Sequence, residues 1–202
     1  MGVILDVPYC NQLAFPGQSN PGNDPTGCWY ASACMLGWFF EAGPRLGVPE
    51  LHTTSLPVEV QNRLGFQGHF ATGSPDARRV MNELHGGQSE HDLLARREHL
   101  AAIAHCARPD YNFGGDQMET LLRRHGPVFF YWWKTVGGQS YGHASVVTGL
   151  SAANRVVHYH DPENAPNSTM TLTDFNAVRQ RWRYAMMRKE GPHPSINARW
   201  VV

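Results

Sequence analysis

The order of hydrophobic and polar positions changes character twice along this chain. Residues 1–27 show no sustained period and are rich in Pro, Gly and Asn, notably Asn20-Pro21-Gly22-Asn23-Asp24-Pro25, which predicts loop. From Cys28 onward, Trp29, Ala33, Leu36 and Phe40 recur at i, i+4, i+7 and i+11, one face of a buried helix. Thr26 is the expected N-cap and Gly43-Pro44 the expected stop. Residues 45–125 read as mainly helical. Ser74-Pro75-Asp76 combines a cap, a proline at the first helical position and an acid at the positive helix end, and Gly86-Gly87 closes that segment. A second helix is expected from Ser89 through Leu93, Leu94, Leu100 and Ile103. A third runs from about Asp116 to His125, with Met118, Leu121 and Leu122 inward, and stops at Gly126-Pro127.

Beyond Pro127 the period becomes extended. Residues 128–133, 144–149 and 155–160 are strand candidates rich in β-branched and aromatic side chains. A short helix is expected from Thr173-Asp174-Phe175, and a last strand over 181–186. Helices first and antiparallel strands second predict an α+β protein with segregated halves, 1–125 mainly helical and 126–202 mainly β, within a single domain 1–202. There is no internal repeat and no low-complexity linker.

Composition narrows the function classes. The chain has 202 residues, 42% apolar and 17% charged, an ordinary globular balance with enough length for a well-buried core. Lys+Arg and Asp+Glu are both 17, so no nucleic-acid footprint or basic membrane surface is expected. The N-terminus lacks the charged start and long apolar stretch of a secretory signal, and Asp6 stands where a myristoylation signal places Ser or Thr. The longest apolar run, 128–133, is too short to span a bilayer. A soluble protein is expected, cytoplasmic in its producer or exported by a dedicated secretion system. Cys10, Cys28, Cys34 and Cys106 form no Cys-x-x-Cys pair, which argues for reduced thiols rather than a disulfide framework or zinc ribbon.

Four polar residues sit at joints of this pattern. Cys28 opens a helix, where backbone N–H groups favour thiolate over thiol; a small buried hydrophobe is an equal alternative from position alone. His143, in Gly142-His143-Ala144, is expected at a strand start, a rigid mount for a base that titrates near neutrality; a structural histidine is the competing reading. Asp161, in His160-Asp161-Pro162, ends a strand and could accept the histidine Nδ1–H to fix its tautomer, or could be a turn residue before proline. Asn164 is a weaker candidate for the same role. Gln12, in Val7-Pro8-Tyr9-Cys10-Asn11-Gln12, could donate an amide N–H to a developing oxyanion together with the Cys28 backbone N–H.

Taken in order, Gln12, Gly27-Cys28-Trp29-Tyr30-Ala31, Gly126-Pro127-Val128, Gly142-His143-Ala144 and His160-Asp161-Pro162 resemble the papain-like cysteine peptidases. The resemblance is strongest to the bacterial branch, which holds the avirulence-effector peptidases of plant pathogens and the bacteriocin-processing peptidase-like domains. It covers about positions 3 to 187. It implies a papain-like fold, with a helical lobe carrying the nucleophile helix and an antiparallel β-sheet lobe. It also implies Cys28 as nucleophile, His143 as base, Asp161 as orienting acid and Gln12 as oxyanion donor. Papain has Asn where this chain offers Asp161, and the gap from Gln12 to Cys28 is longer here.

The implied function is a cysteine protease that needs no cofactor or metal, a bacterial effector or toxin acting on a protein or peptide substrate. That reading admits a cognate immunity or inhibitor protein. Other acyl-transfer chemistry on the same fold (a peptidoglycan amidase, a deamidase, a transglutaminase-like enzyme) and a catalytically silent binding module are the alternatives. A zinc site built on His158 and His160, two apart on a strand, with His143 or Cys28, is a further one.

Overall fold

A computed structural model describes residues 2–12, 28–40, 91, 94–95, 99–153, 155–190 and 200–201. The elements are β1 (Val3–Leu5), α1 (Cys28–Phe40), β2 (Leu100–Ala102), a 3-10 turn (Ala104–Ala107), α2 (Gly115–His125), β3 (Val128–Val136), β4 (Gln139–Ser151), β5 (Val156–Asp161), β6 (Ala165–Thr171), α3 (Leu172–Val178), β7 (Met186–Lys189) and β8 (Trp200–Val201). The protein is therefore mixed α+β. Its described strands form one sheet in which every pairing is antiparallel.

The β3–β4 hairpin is the spine of that sheet. Its register runs unbroken from Val128↔Val147 to Val136↔Gln139. Gly137 and Gly138 close it with φ of 57° and 81°, and positive φ at both central residues is the geometry of a type I′ turn, which suits two glycines. β7 and then β2 extend the sheet beyond β3, while β5 and β6 extend it from the other edge of β4. β1 pairs with β4 at Val3↔Leu150 and Ile4↔Gly149, and carries β8 on its free side.

Residues Val128 to Trp132 are all buried, so the centre of β3 is covered on both faces and its apolar run does not alternate. α1 packs on β3 and β4, α2 on β4 and β1, and α3 on β3, β5 and β6. The expected inward face of α1 (Trp29, Ala33, Leu36, Phe40) is buried, as are Ala31, Met35 and Phe39, so this helix lies inside the protein rather than on its surface. α2 begins where Gln117 Oε1 accepts the Gly114 N–H at 2.7 Å, with Asp116 in its first turn and Arg123, Arg124 and His125 in its last. Gly126 ends it at φ 73°, and a Cβ there would lie 2.8 Å from the Phe40 ring.

Several sequence expectations need correction. The helix expected to continue through Leu100 and Ile103 stops earlier: His91, Leu94 and Ala95 are helical, His99 turns left-handed at φ 52°, and Leu100–Ala102 pairs with β7. Free backbone groups on the sheet edge outcompete the helical period there. The strand expected over 181–186 is instead Met186–Lys189, and β8 follows it; Ala185 N–H bonds back to Trp182 O, forming a turn that delays pairing. β3 and β4 each extend to the Gly137-Gly138 turn, so His143 lies inside β4 rather than at its start. β6 was not expected; among the described residues it is an edge strand, with few apolar residues. β1 and β2, from the first half of the chain, join the same sheet as the second half. The expected signals at Thr26, Gly43-Pro44, Ser74-Pro75-Asp76, Gly86-Gly87 and Ser89 lie outside the described residues. Among the described residues no helix is long and apolar enough to cross a membrane.

Phe130 is fully buried and its ring lies 5.2 Å from that of Phe175, joining the hairpin to α3. Phe130→Ala is expected to cost about 3–5 kcal/mol, read from the urea midpoint at constant slope. A loss below about 1 kcal/mol would show that the hairpin does not organise the core.

Candidate active site

Strand register assembles the site. Paired residues share a face, so Trp132 opposite His143 and Lys134 opposite Tyr141 line one side of the hairpin. On the other edge of β4, Val146 is opposite His160, which brings the next residue of β5, Asp161, level with Ser145 and diagonal to His143. His143 is 1% exposed and Asp161 3%. His143 Nε2 lies 2.7 Å from Asp161 Oδ1. A carboxylate accepts, so Nε2 carries the proton and Nδ1 is the nitrogen left for proton exchange. Sequence reasoning had assigned the carboxylate to the other ring nitrogen. The Trp132 ring meets the imidazole edge-on at 5.8 Å, and Trp132 Nε1–H donates to Ser145 Oγ at 3.0 Å.

Asp161 also shapes its own turn. Pro162, Glu163 and Asn164 link β5 to β6, with Asn164 left-handed at φ 56°, the form of a three-residue hairpin loop. Glu163 N–H donates to Asp161 Oδ1 at 2.9 Å. Lys134 Nζ donates to Asp161 Oδ2 at 2.6 Å and to Glu163 Oε2 at 2.5 Å, and Tyr141 Oη–H donates to Glu163 Oε2 at 2.7 Å.

Burial works against the Asp161 charge, but the hydrogen bond and charge of His143, then Lys134 and the Glu163 N–H, hold its carboxyl below the usual carboxylate range. Glu163 is likewise held down, by Lys134 and Tyr141 against burial. Burial opposes the Lys134 charge, yet the two carboxylates push its pKa up to about 12. His143, Asp161 and Glu163 bring ligand atoms within 4.8 Å of one another, but the Lys134 ammonium already bridges the two carboxylates as their counter-cation.

The N-terminal segment is laced to this turn. Tyr9 Oη–H donates to Asp161 O at 2.9 Å, Gln12 N–H to Pro162 O at 2.9 Å, and Asn11 Nδ2–H to Asn164 Oδ1 at 3.2 Å. Gln12 is thereby fixed beside the Asp161 turn, fully buried although it belongs to no regular element. Asn164, the weaker orienting candidate, serves the turn and Asn11, while Asp161 is the residue that meets His143. Cys28 is the first residue of α1, whose N-terminal N–H groups favour an anion, and α1 packs on the strand that bears His143. Cys28 is partly exposed, whereas Cys10 and Cys106 are buried, and burial pushes the Cys106 thiol up to about 12.

The histidines of the zinc alternative are engaged elsewhere. His160 Nε2–H donates to Val7 O at 2.8 Å and its Nδ1 accepts the Asn167 N–H at 3.0 Å, so both ring nitrogens are used. His158 Nε2 is 2.7 Å from Ser151 Oγ, and burial lowers the pKa of both rings.

The family model described as papain-like cysteine protease AvrRpt2 matches residues 3–180, a span that contains Gln12, Cys28, His143 and Asp161. This chain belongs to that family. It is a papain-like cysteine protease, a bacterial effector that cleaves protein targets. Lys134, Tyr141 and Glu163 of this protease were missed by sequence reasoning. The Gly137-Gly138 pair between two β-rich runs signalled a hairpin that would have carried both strands past Trp133 and set Lys134 and Tyr141 on the His143 face.

Because the Asp161 pKa is depressed in the folded protease, its stabilising contribution is complete above about pH 4 and is lost as pH falls through the folded value. The stability gap between wild type and Asp161→Asn should therefore narrow as denaturant midpoints are followed from pH 7 down to pH 3. A constant gap would show that the carboxylate is not coupled to folding.

Proposed function

We propose that Cys28 is the nucleophile of this protease, His143 its acid–base partner, Asp161 the orienting carboxylate and Gln12 a donor to the oxyanion. The observation that carries this reading is the buried 2.7 Å contact between His143 Nε2 and Asp161 Oδ1, on the strand against which the Cys28 helix packs. We extend the papain-like description to its finer form, one catalytic domain over 1–202 with the nucleophile helix against the β-sheet half.

With the Nε2–H held by Asp161, Nδ1 takes the Cys28 thiol proton, giving a thiolate–imidazolium pair. The thiolate attacks the scissile carbonyl carbon and the carbonyl oxygen becomes an oxyanion. The Gln12 amide and the Cys28 backbone N–H donate to that oxygen. As the intermediate collapses, the C–N bond breaks and the imidazolium Nδ1–H protonates the departing amine. The acyl group remains on Sγ as a thioester. Water then attacks, losing its proton to Nδ1, and the C–S bond breaks to release the carboxylic acid product and restore Cys28. Protons and charge balance over the cycle with no cofactor.

Effectors of this family leave the producer by type III secretion, and we extend that route to this protease. Its substrate is a host or competitor protein, and a cognate inhibitor protein would protect the producer.

Peptide mapping after iodoacetamide treatment should place the label on Cys28, and Cys28→Ala should abolish both label and cleavage. Label on Cys34 or Cys106 instead would overturn the assignment. Asp161→Asn should lower kcat by at least about 100-fold, and Gln12→Ala by about 100- to 1,000-fold with less effect on KM. Substrates are to be sought by proteome-wide profiling of new N-termini, wild type against Cys28→Ala. New N-termini made equally by both proteins would remove Cys28 from the reaction.

A further inference from the structure

The Asp161 carboxylate is used on both sides. Oδ1 faces His143 Nε2 at 2.7 Å and Oδ2 accepts from Lys134 Nζ at 2.6 Å. Lys134 is a long, flexible side chain, yet it is only 14% exposed, because Glu163 holds the same ammonium at 2.5 Å. Glu163 is in turn fixed by Tyr141 Oη–H, from the residue opposite Lys134 in the hairpin. The chain of contacts therefore runs Tyr141–Glu163–Lys134–Asp161–His143 across β3, β4 and the turn after β5.

We propose that Lys134, pinned by Glu163 and Tyr141, is a positioning residue that fixes the Asp161 carboxylate toward His143 and sets the alkaline limit of the thiolate–imidazolium pair. The inference rests on the nucleophile and base assigned above. Two effects follow from the geometry. An ammonium on Oδ2 removes the carboxylate's freedom to rotate, so Oδ1 stays aimed at Nε2. The same ammonium offsets part of the negative field at the imidazole, and Glu163 restores part of it. Lys134 alone makes the imidazolium easier to deprotonate, and Glu163 alone makes it harder.

Among the described residues, the charged and titratable groups around His143 come from several elements: Asp161, with Tyr159 coupled to it, from β5; Glu163 from the following turn; Lys134 from β3; Tyr141 from β4; Tyr9 from the N-terminal segment, through the Asp161 carbonyl; and Cys28 at the start of α1. His160 is turned to Val7 and Asn167. Among these groups, the Lys134 ammonium sits on the Asp161 carboxylate and the oppositely charged Glu163 carboxylate sits on that ammonium, so their removal has opposite signs.

The test is an NMR titration of the His143 ring proton in ring-labelled protein, assigned by its loss in His143→Ala. The expected result is a midpoint raised by about one pH unit in Lys134→Met and lowered by up to about one unit in Glu163→Gln, with Lys134→Arg close to wild type. Midpoints that stay within about 0.3 unit of wild type, or that move in the same direction in both variants, would overturn the proposal and leave the cluster a structural brace. If Lys134→Met does not fold, Glu163→Gln alone decides: a lowered midpoint supports the proposal and an unmoved one overturns it. A Cys28→Ala titration separates this from the underlying reading. If loss of the thiolate leaves the His143 midpoint unchanged, the nucleophile–base pair itself fails. If the midpoint falls but Lys134 and Glu163 have no effect, only the proposal made here fails.

Discussion

A single ionised carboxylate, buried inside the sheet, organises the functional half of this protease. Removing such a charge from water is costly unless it is fully hydrogen-bonded and paired. Asp161 meets both conditions, accepting from His143 Nε2, the Glu163 N–H and Lys134 Nζ while its own carbonyl accepts from Tyr9. Each donor comes from a different stretch of chain. To keep the carboxylate satisfied, the β3–β4 hairpin, the β5–β6 turn and the N-terminal segment must all be in register. The same requirement aims the imidazole. Stability and catalytic geometry are thus two consequences of one arrangement.

The register explains why small changes far from the site would matter. A strand slip of one residue turns every side chain to the opposite face. The long β3–β4 ladder prevents that for His143 and Lys134, with the Gly137-Gly138 turn pinning one end and buried Phe129 and Phe130 the other. β5 is pinned by its pairing with β4 and by the Pro162-Glu163-Asn164 turn. Among the described residues, the N-terminal segment has no such ladder near Gln12. Bonds from Tyr9, Asn11 and Gln12 to the Asp161 turn perform that task instead, which is how an irregular segment comes to hold a fully buried glutamine.

Much of this was legible in the sequence, and the residues show why. The α1 helix stood out because its apolar residues recur at helical spacing although it is buried beyond that one face, α2 because it has one clean buried face, and Asp161 because a strand ending at Asp-Pro marks a turn. Elements whose identity depends on a distant partner were not legible. Leu100–Ala102 and Met186–Lys189 are strands because they complete each other along the sheet edge, a fact absent from either local pattern. β6 is too polar to signal a strand alone and exists by pairing with β5. Nothing in the local sequence marks Lys134 or Glu163, since charge type carries no sign of burial. Only the register reveals that they converge on Asp161. The ring nitrogen bonded to Asp161 was misassigned for a related reason: tautomer choice is set by which atom the fold brings near, not by residue type.

The central claim is that the carboxylate holds the proton on His143 Nε2 and leaves Nδ1 to exchange with Cys28. Long-range proton–nitrogen correlation spectra of the ring in wild-type protein test it directly. The account predicts that Nε2 stays protonated across the neutral range, with a strongly downfield proton that is lost in Asp161→Asn, while Nδ1 is the nitrogen whose protonation changes with pH. A neutral ring protonated on Nδ1 instead would contradict it.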